Sequence, residues 1–465
     1  MGVVNLPSGA TIRTFPIPPA GFDPLTADEQ TLLRFGFPPR PLNDSESDER
    51  WKRFFGGMKL FIEPTFRRSD NIRNGPRLRG LLEGLETSPN WSGAVVYAPA
   101  QSTFDSINGQ WNVPDPSPAS VDGTHYYSSF WIGIDGAGSP DVFQAGVECD
   151  AVYVGGNVQK TFTPWWEWYP ENEVQITNFP VSAGQTLACM LTVVTNTTGN
   201  VYLQNLTASL ITMFQITAPA GTVLTGNSAE WIAERPGING TLSKLANYGV
   251  AEFVQCNAHT TTSVNLTPTD GDNVNMTDGG QTVSEGFAES PSNVHCVYTG
   301  PHPVEVHVAS GVSQFQTRIF ERATTFANET DGVFLMADYD RDGIPDLVFI
   351  KTANTPTGHV EVHIASGASQ YQTRIFERAT TFGNETDGVW LMADYDRDGI
   401  PDLVFIKTAN TPTGHVEVHI ASGASQYQTR VFEKATTFGN ETDGVWQMAA
   451  YNGLLDLVFI KTFNA

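Results

Sequence analysis

Two stretches of the chain set carboxyl groups among indoles: Glu167 in WWEWYPENE (165–173), beside Trp165, Trp166, Trp168 and Tyr169, and Glu230 in AEWIAERP, beside Trp231. A glutamate so flanked is partly desolvated. Desolvation disfavours its charged form and raises its pKa toward the range where a carboxyl can give and take protons in acid. Glu148, Glu167, Glu230 and Glu234 are the candidates. Strand alternation would put Glu230, Ile232 and Glu234 on one face and Trp231 and Ala233 on the other, so that Glu230 and Glu234 share one groove. Competing chemistries lack their signatures: there is no GxSxG, the nine histidines include no HExxH, and Cys149, Cys189, Cys256 and Cys296 sit in no catalytic setting and no CxxC spacing. On pattern alone, a lectin-like sandwich whose Trp and Tyr residues fill the core fits the same stretches.

A second constellation is DYDRDGIPDLVFI, at 338–350 and again at 394–406. Asp338, Asp340, Asp342 and Asp346, and likewise Asp394, Asp396, Asp398 and Asp402, stand at loop positions 1, 3, 5 and 9, with Gly at 6 for a tight turn. That spacing surrounds a calcium-sized sphere with carboxylate oxygens. Phe349 and Phe405 occupy position 12, where an EF-hand needs Glu, so the loops are flanked by strands rather than helices. They resemble the calcium loops of FG-GAP/VCBS-type repeats. The third copy reads AAYNGLLDL, with Ala450 in place of the first ligand and two residues missing, so two calcium sites are expected rather than three.

These residues must be held by an all-β scaffold. Residues 88–256 fall into short runs rich in Val, Thr, Tyr, Trp and Phe, punctuated by Gly, Pro, Asn and Asp, which is the pattern of an antiparallel sandwich or barrel. Residues 257–300 begin with the polar composition of a linker. From 301 to 465 the chain repeats three times with a period of 56, as in GHVEVHIASGASQYQTRIFERATTF, which predicts propeller-blade-like β units. Closed propellers use about four to eight blades, so three must stay open, pack on the first domain or be completed by another chain.

Residues 1–83 read as a basic, partly helical leader. Thr26 and Glu29 suggest a capping box ahead of one short helix, and a second covers Asp48 to Phe55. Nine basic residues against two acidic ones lie between Arg50 and Arg79, ahead of a stretch, 84–256, with three basic and fourteen acidic residues. A prosegment docking across an acidic cleft, released in acid, would produce that asymmetry.

The net charge of −24 argues against nucleic acid and anionic lipid as partners, and no apolar run approaches the ~18 residues that cross a bilayer. The first residues lack the charged and apolar segments of a secretory signal. Ten Asn-X-Ser/Thr sequons, Asn90 and Asn205 among them, and an even number of cysteines point instead to an oxidising, extracellular setting with one or two disulfides.

The ordered motifs NWSGAVV (90–96), FWIGIDG (130–136), QAGVE (144–148), WWEWYP (165–170) and AEWIAE (229–234) resemble the eqolisin or glutamic peptidase family, over roughly 84–256. The resemblance implies a concanavalin-like sandwich of two antiparallel sheets and a pepstatin-insensitive acid endopeptidase acting on protein or peptide substrates. It implies a dyad of Gln144 and Glu230, the latter preferred over Glu234 by motif position. Trp91, Trp131, Asp135, Glu167 and Tyr169 would surround the cleft, and Glu148 stands where members commonly have Asp. Catalysis would need no cofactor, whereas the repeats would hold calcium and could take a cell-surface or glycan ligand. The alternative is a noncatalytic, calcium-dependent carbohydrate-binding or adhesion protein.

Overall fold

The computed structural model describes residues 2–57, 59–69, 87–119, 123–154, 157–300, 304–326, 329–450 and 455–462. They divide into two compact units, with the break after residue 300.

In the first unit, two antiparallel sheets face each other. One has the strand order Val174–Ile176, Asn157–Trp168, Phe143–Val154, Ser129–Ile134, Ser228–Glu234, Trp91–Tyr97, Asp272–Asp278. The other runs Leu210–Thr217, Thr198–Asn205, Thr186–Thr195, Phe104–Asn112, Val250–Thr260, Asn293–Tyr298, Gln281–Ser290. Alternation explains the tryptophan clusters. Trp166, Trp168 and Trp231 point inward to join Trp111, Phe130, Ile132 and Phe143 in the core, which leaves Trp165, Glu167 and Glu230 on the opposite face. The sandwich is therefore as expected, and the tryptophans both fill its core and flank the glutamates.

Residues 257–300 are not a linker. Asp272–Asp278 extends the first sheet beside Trp91–Tyr97, and the two strands after it extend the second. Their alternating apolar residues Val274, Met276, Val283, Val294 and Cys296 are buried, a pattern masked in the sequence by the polar residues between them. Cysteine pairing is also corrected: all four cysteines are free and buried.

The leader is built into both sheets. Thr11–Thr14 pairs with the edge strand Leu210–Thr217, and Phe66–Arg68 with Val174–Ile176. Helix α1 (Glu29–Arg34) is capped by Asp28 rather than Thr26, the Asp28 carboxylate accepting from Thr31 N at 2.7 Å. Helix α2 (Ser45–Phe55) begins at the Asp44 cap. Leu32, Phe37, Trp51, Phe54 and Phe55 pack on Ala188, Met190, Tyr202, Ile211 and Met213. Those residues alternate with Cys189, Leu191, Val201 and Leu203 of the core, so the helices cover the outer face of the second sheet, remote from Glu230. Arg50 and Arg53 bond Asn265 and Gln255 there. Apolar area, not charge, thus dictates where residues 2–57 dock, contrary to the cleft-spanning expectation; Arg73, Arg77 and Arg79 lie outside the described residues.

In the second unit, four-stranded antiparallel blades are formed by Gly332–Ala337, Asp346–Lys351, His359–Ala365 and Arg374–Gly383, and, 56 residues on, by Gly388–Ala393, Asp402–Lys407, His415–Ala421 and Arg430–Gly439. Two-stranded half-blades flank them: Glu305–Ala309 with Arg318–Ala323, and Gly444–Ala450 with Leu455–Lys461. No helix among the described residues is long and apolar enough to cross a membrane.

Candidate active site

Register decides which side chains meet. Gln144 lies opposite Glu167 on one neighbouring strand and opposite Gly133 on the other, and Gly133 lies opposite Glu230. Directly opposed residues share a face. Glu167, Gln144 and Glu230 therefore stand in one row across four strands, with Gln144 and Glu230 about 10 Å apart at the backbone, two strand spacings. Gly133 keeps the gap open: a Cβ there would lie 3.2 Å from Glu230 Oε1 and 2.8 Å from the Trp131 ring. The next row along the strands holds Trp165, Gly146, Trp131 and Ile232, and the one beyond holds Glu148, Ser129, Glu234 and Trp91.

The two glutamates that the sequence leaves on one face differ sharply in their partners. Glu234 Oε1 accepts from Asn90 Nδ2 at 3.1 Å, and Oε2 from Trp131 Nε1 at 2.8 Å. Burial pushes its pKa up to about 7 against the pull of those donors. Glu230 is fully buried, and neither of its oxygens makes a hydrogen bond of ordinary length and angle among the described residues, the Ser228 hydroxyl lying close enough only to weaken the shift. Burial first, then the neighbouring Asp135 charge, drive its pKa well above the ordinary glutamate value, with only the Ser228 hydroxyl opposing. An unpaired buried carboxyl is costly to keep. Glu234 holds the Trp131 indole, whereas Glu230 has no such donor from Asn90 or Trp131.

Gln144 Nε2 donates to Glu167 Oε2 at 2.6 Å, which fixes the amide and leaves Gln144 Oε1 without a partner among the described residues. Trp91, Gln144, Glu148, Glu167, Tyr169 and Glu234 line one cleft. Trp131, Asp135 and Glu230 are fully buried and do not line it. Trp131 meets Trp91 edge to face at 5.0 Å. The Asp135 carboxylate is a fastener: it accepts from the backbone N–H groups of Thr225, Gly226 and Asn227 at 2.7–2.9 Å, anchoring the approach to the Glu230 strand. Gly136 covers Glu230 with φ +115°, and a Cβ there would come within 2.8 Å of Trp91 and 3.3 Å of Glu230 Oε1. Sequence reasoning misses Asn90, Ser129, Trp165 and Glu173 on the same cleft. Trp165 and Ser129 were recoverable, since each lies two residues from a candidate, Glu167 or Trp131, and so shares its face.

The repeat loops gather carboxylates as well. Oxygens of Asp338, Asp340 and Asp346 all lie within 4.8 Å of one another, as do those of Asp394, Asp396 and Asp402. Asp342 and Asp398 stand outside these clusters, each accepting instead from the backbone N–H two residues on at 2.7 Å. Asp346 is partly structural, its two oxygens taking N–H groups from Gly367 at 2.8 Å and Tyr339 at 2.9 Å. A buried Asp338 oxygen without a hydrogen-bond partner among the described residues, beside two further carboxylates, suits a hard cation with oxygen ligands. The third copy of the loop, 451–454, lies outside the described residues.

Residues 89–298 match the model of the Peptidase A4 family. This region is a glutamic peptidase domain. The matched span contains all five motifs and runs through the strands that follow residue 256. Aspergillopepsin-2 of Aspergillus niger is 24% identical to the chain over 217 residues, which cover 43% of this chain and 74% of that protein. Scytalidopepsin B of Scytalidium lignicola is 28% identical over 176 residues, covering 35% of this chain and 62% of that protein. Crystalline scytalido-glutamic peptidase with a transition state analog inhibitor aligns over 46% of this chain and 99% of its own, at 24% identity and a TM-score of 0.40. The peptidase domain makes the protein an endopeptidase with protein or peptide substrates.

Proposed function

We propose that the peptidase acts in acid through Glu230 as proton carrier and Gln144 as the group that orients water and the scissile carbonyl. The observation that supports this most is the fully buried Glu230 carboxyl, which makes no hydrogen bond of ordinary geometry among the described residues, in one row with a Gln144 amide fixed by Glu167. The direction of the Glu230 pKa favours a protonated start. In acid, protonated Glu230 gives its proton to the carbonyl oxygen as water adds to the carbon, and its other oxygen takes a proton from that water. The tetrahedral diol then collapses as Glu230 protonates the leaving amine and recovers a proton from one hydroxyl, so the enzyme ends as it began. The free Gln144 oxygen accepts from the water, and its second N–H is available to the developing oxyanion, a pre-placed donor of the kind worth a few kcal/mol. The absent side chain of Gly133 between the two residues leaves space there for the scissile carbonyl and a water.

The repeats would bind calcium through Asp338, Asp340 and Asp346 and through Asp394, Asp396 and Asp402, the ion tying each loop to its blade. Calcium loops and sequons favour an extracellular setting, although Asn90 and Asn205 are buried and closed to glycosylation in the folded chain. Digestion of an unfolded protein from about pH 2 to 6 with pepstatin present tests the mechanism. Glu230→Gln should lose about 10²- to 10⁴-fold in rate, the usual worth of a positioned acid–base group. Wild-type rates in the variant would reject Glu230 as proton carrier, and no cleavage by either protein would favour the adhesion reading.

A further inference from the structure

On the outer face of the second sheet, three side chains converge on one atom. Ala251 and Phe253, like Val294 and Cys296, point into the core, so Glu252 and His295 between them face outward. The two stand directly opposite each other in the register of Val250–Thr260 with Asn293–Tyr298. A β-bulge supplies the third. Ala288 lies opposite Val294 and Ser290 opposite Asn293, which leaves Glu289 over between them, and such a bulge re-aims its side chain. Glu289 Oε2 lies 2.8 Å, and Glu252 Oε1 3.5 Å, from the same ring atom, His295 Nε2.

An ion pair alone does not account for this arrangement. His295 Nε2 is buried and makes no hydrogen bond among the described residues, so neither carboxylate stands in line with an N–H on that nitrogen. One oxygen of each glutamate and a ring nitrogen all lie within 4.8 Å of one another, and among the described residues no lysine or arginine pairs with either glutamate. Two carboxylates held so close repel each other until a cation joins them. The similar group of Glu305, His307 and Glu321 is exposed throughout, and there Arg318 already pairs with Glu321. Around His295 the ligand groups are also held in place. Phe287, opposite His295, stacks on its ring at 5.4 Å. Asn293 Nδ2 donates to Glu252 Oε1 at 3.2 Å, and Ser292 Oγ donates to Asn293 Oδ1 at 2.9 Å. Metal ligands are oriented by outer partners of this kind.

We propose that Glu252, Glu289 and His295 bind zinc(II), at a site separate from the peptidase cleft and from the aspartate loops of the repeats. Zinc holds imidazole nitrogen and carboxylate oxygen at about 2.0–2.2 Å in a tetrahedron, which sets neighbouring ligand atoms about 3.3–3.5 Å apart. Small side-chain adjustments bring the present 2.8 and 3.5 Å to that spacing. One imidazole beside two carboxylates suits zinc better than calcium, which takes about six to eight oxygens. The ion would join three strands, Val250–Thr260, Gln281–Ser290 and Asn293–Tyr298, and leave its fourth position to water or an outside ligand.

Calorimetric titration of zinc into the full chain tests this, at about pH 7 because zinc ligands must be deprotonated, and with calcium in excess to fill the aspartate loops. The wild type should show a binding event that is absent in His295→Ala and kept in His307→Ala. Asn293→Ala, which removes only the support of Glu252, should weaken it by about 10- to 100-fold. Glu289→Gln alters an exposed carboxylate, keeps the fold and should also lose the event. Zinc should raise the melting temperature of the wild type and leave His295→Ala and Glu289→Gln unchanged, and cobalt(II) in its place should give the visible absorption of a tetrahedral ion in the wild type alone. Absence of a zinc-binding event in the wild type, or wild-type zinc affinity in both His295→Ala and Glu289→Gln, would overturn the assignment.

Discussion

Glu230 and Glu234 share a strand and a face, yet their burial without and with donors separates their roles. That separation has a pH signature. Both carboxyls have raised pKa values, so the folded state holds their protons more tightly than the unfolded chain does. The stability they contribute is fully present below the ordinary glutamate value of 4.5 and is lost as pH rises; Glu234 gives up its share between 4.5 and about 7. That share amounts to roughly 3 kcal/mol by linkage. The melting temperature should therefore fall from acid toward neutral pH, and Glu234→Gln should flatten part of that fall. An equally steep fall in the variant would remove Glu234 from the account. Activity should follow the same sign, declining as Glu230 deprotonates, with Glu234→Gln slower through a displaced Trp131 but less damaged than Glu230→Gln. Alternation made the face legible in the sequence, and the motifs singled out Glu230. Which carboxyl keeps donors was not legible, because Asn90 and Trp131 reach Glu234 from other strands, 144 and 103 residues away.

Strands and helices carry the next set of consequences. Gly136 closes over Glu230 at φ +115°, where only glycine is at ease and where a methyl group would press on Trp91. Gly136→Ala should lower kcat/KM while leaving most of the fold intact, and unchanged kinetics would show that this turn does not shape the cleft. Helix α2 seats Phe55 against Tyr202 with ring centroids 5.3 Å apart. Truncating such a buried aromatic costs about 3–5 kcal/mol, so Phe55→Ala should unfold in less denaturant, although Phe55 touches nothing near Glu230. The helices themselves were legible in the sequence; they start two to four residues from the expected positions, where the Asp28 and Asp44 carboxylates accept from the backbone N–H groups of Thr31 and Glu46. The strands of 257–300 were hidden because their inward residues are spaced by Asn, Asp, Thr and Ser, which suit an outward face as well as a loop.

For the whole molecule, charge and calcium are the variables to measure. Calcium should raise the melting temperature of the full chain, and Asp340→Ala with Asp396→Ala should abolish the increment; an equal increment in the double variant would place the ion elsewhere. The period of 56 predicted the blades, and near-identical copies made the two aspartate-rich loops stand out. Where the leader goes was misread, since charge counts along a sequence do not reveal that the aromatic face of α2 matches an apolar patch on the far sheet. Thr11–Thr14 and Phe66–Arg68 extend the two sheets, and the aromatic residues between them seal the back of the sandwich. A proteolytic cut between residues 69 and 87 would therefore not shed the leader. Maturation would yield a two-chain enzyme, two bands on a denaturing gel and one particle in solution, and removing the small chain would unravel the large one instead of switching it on.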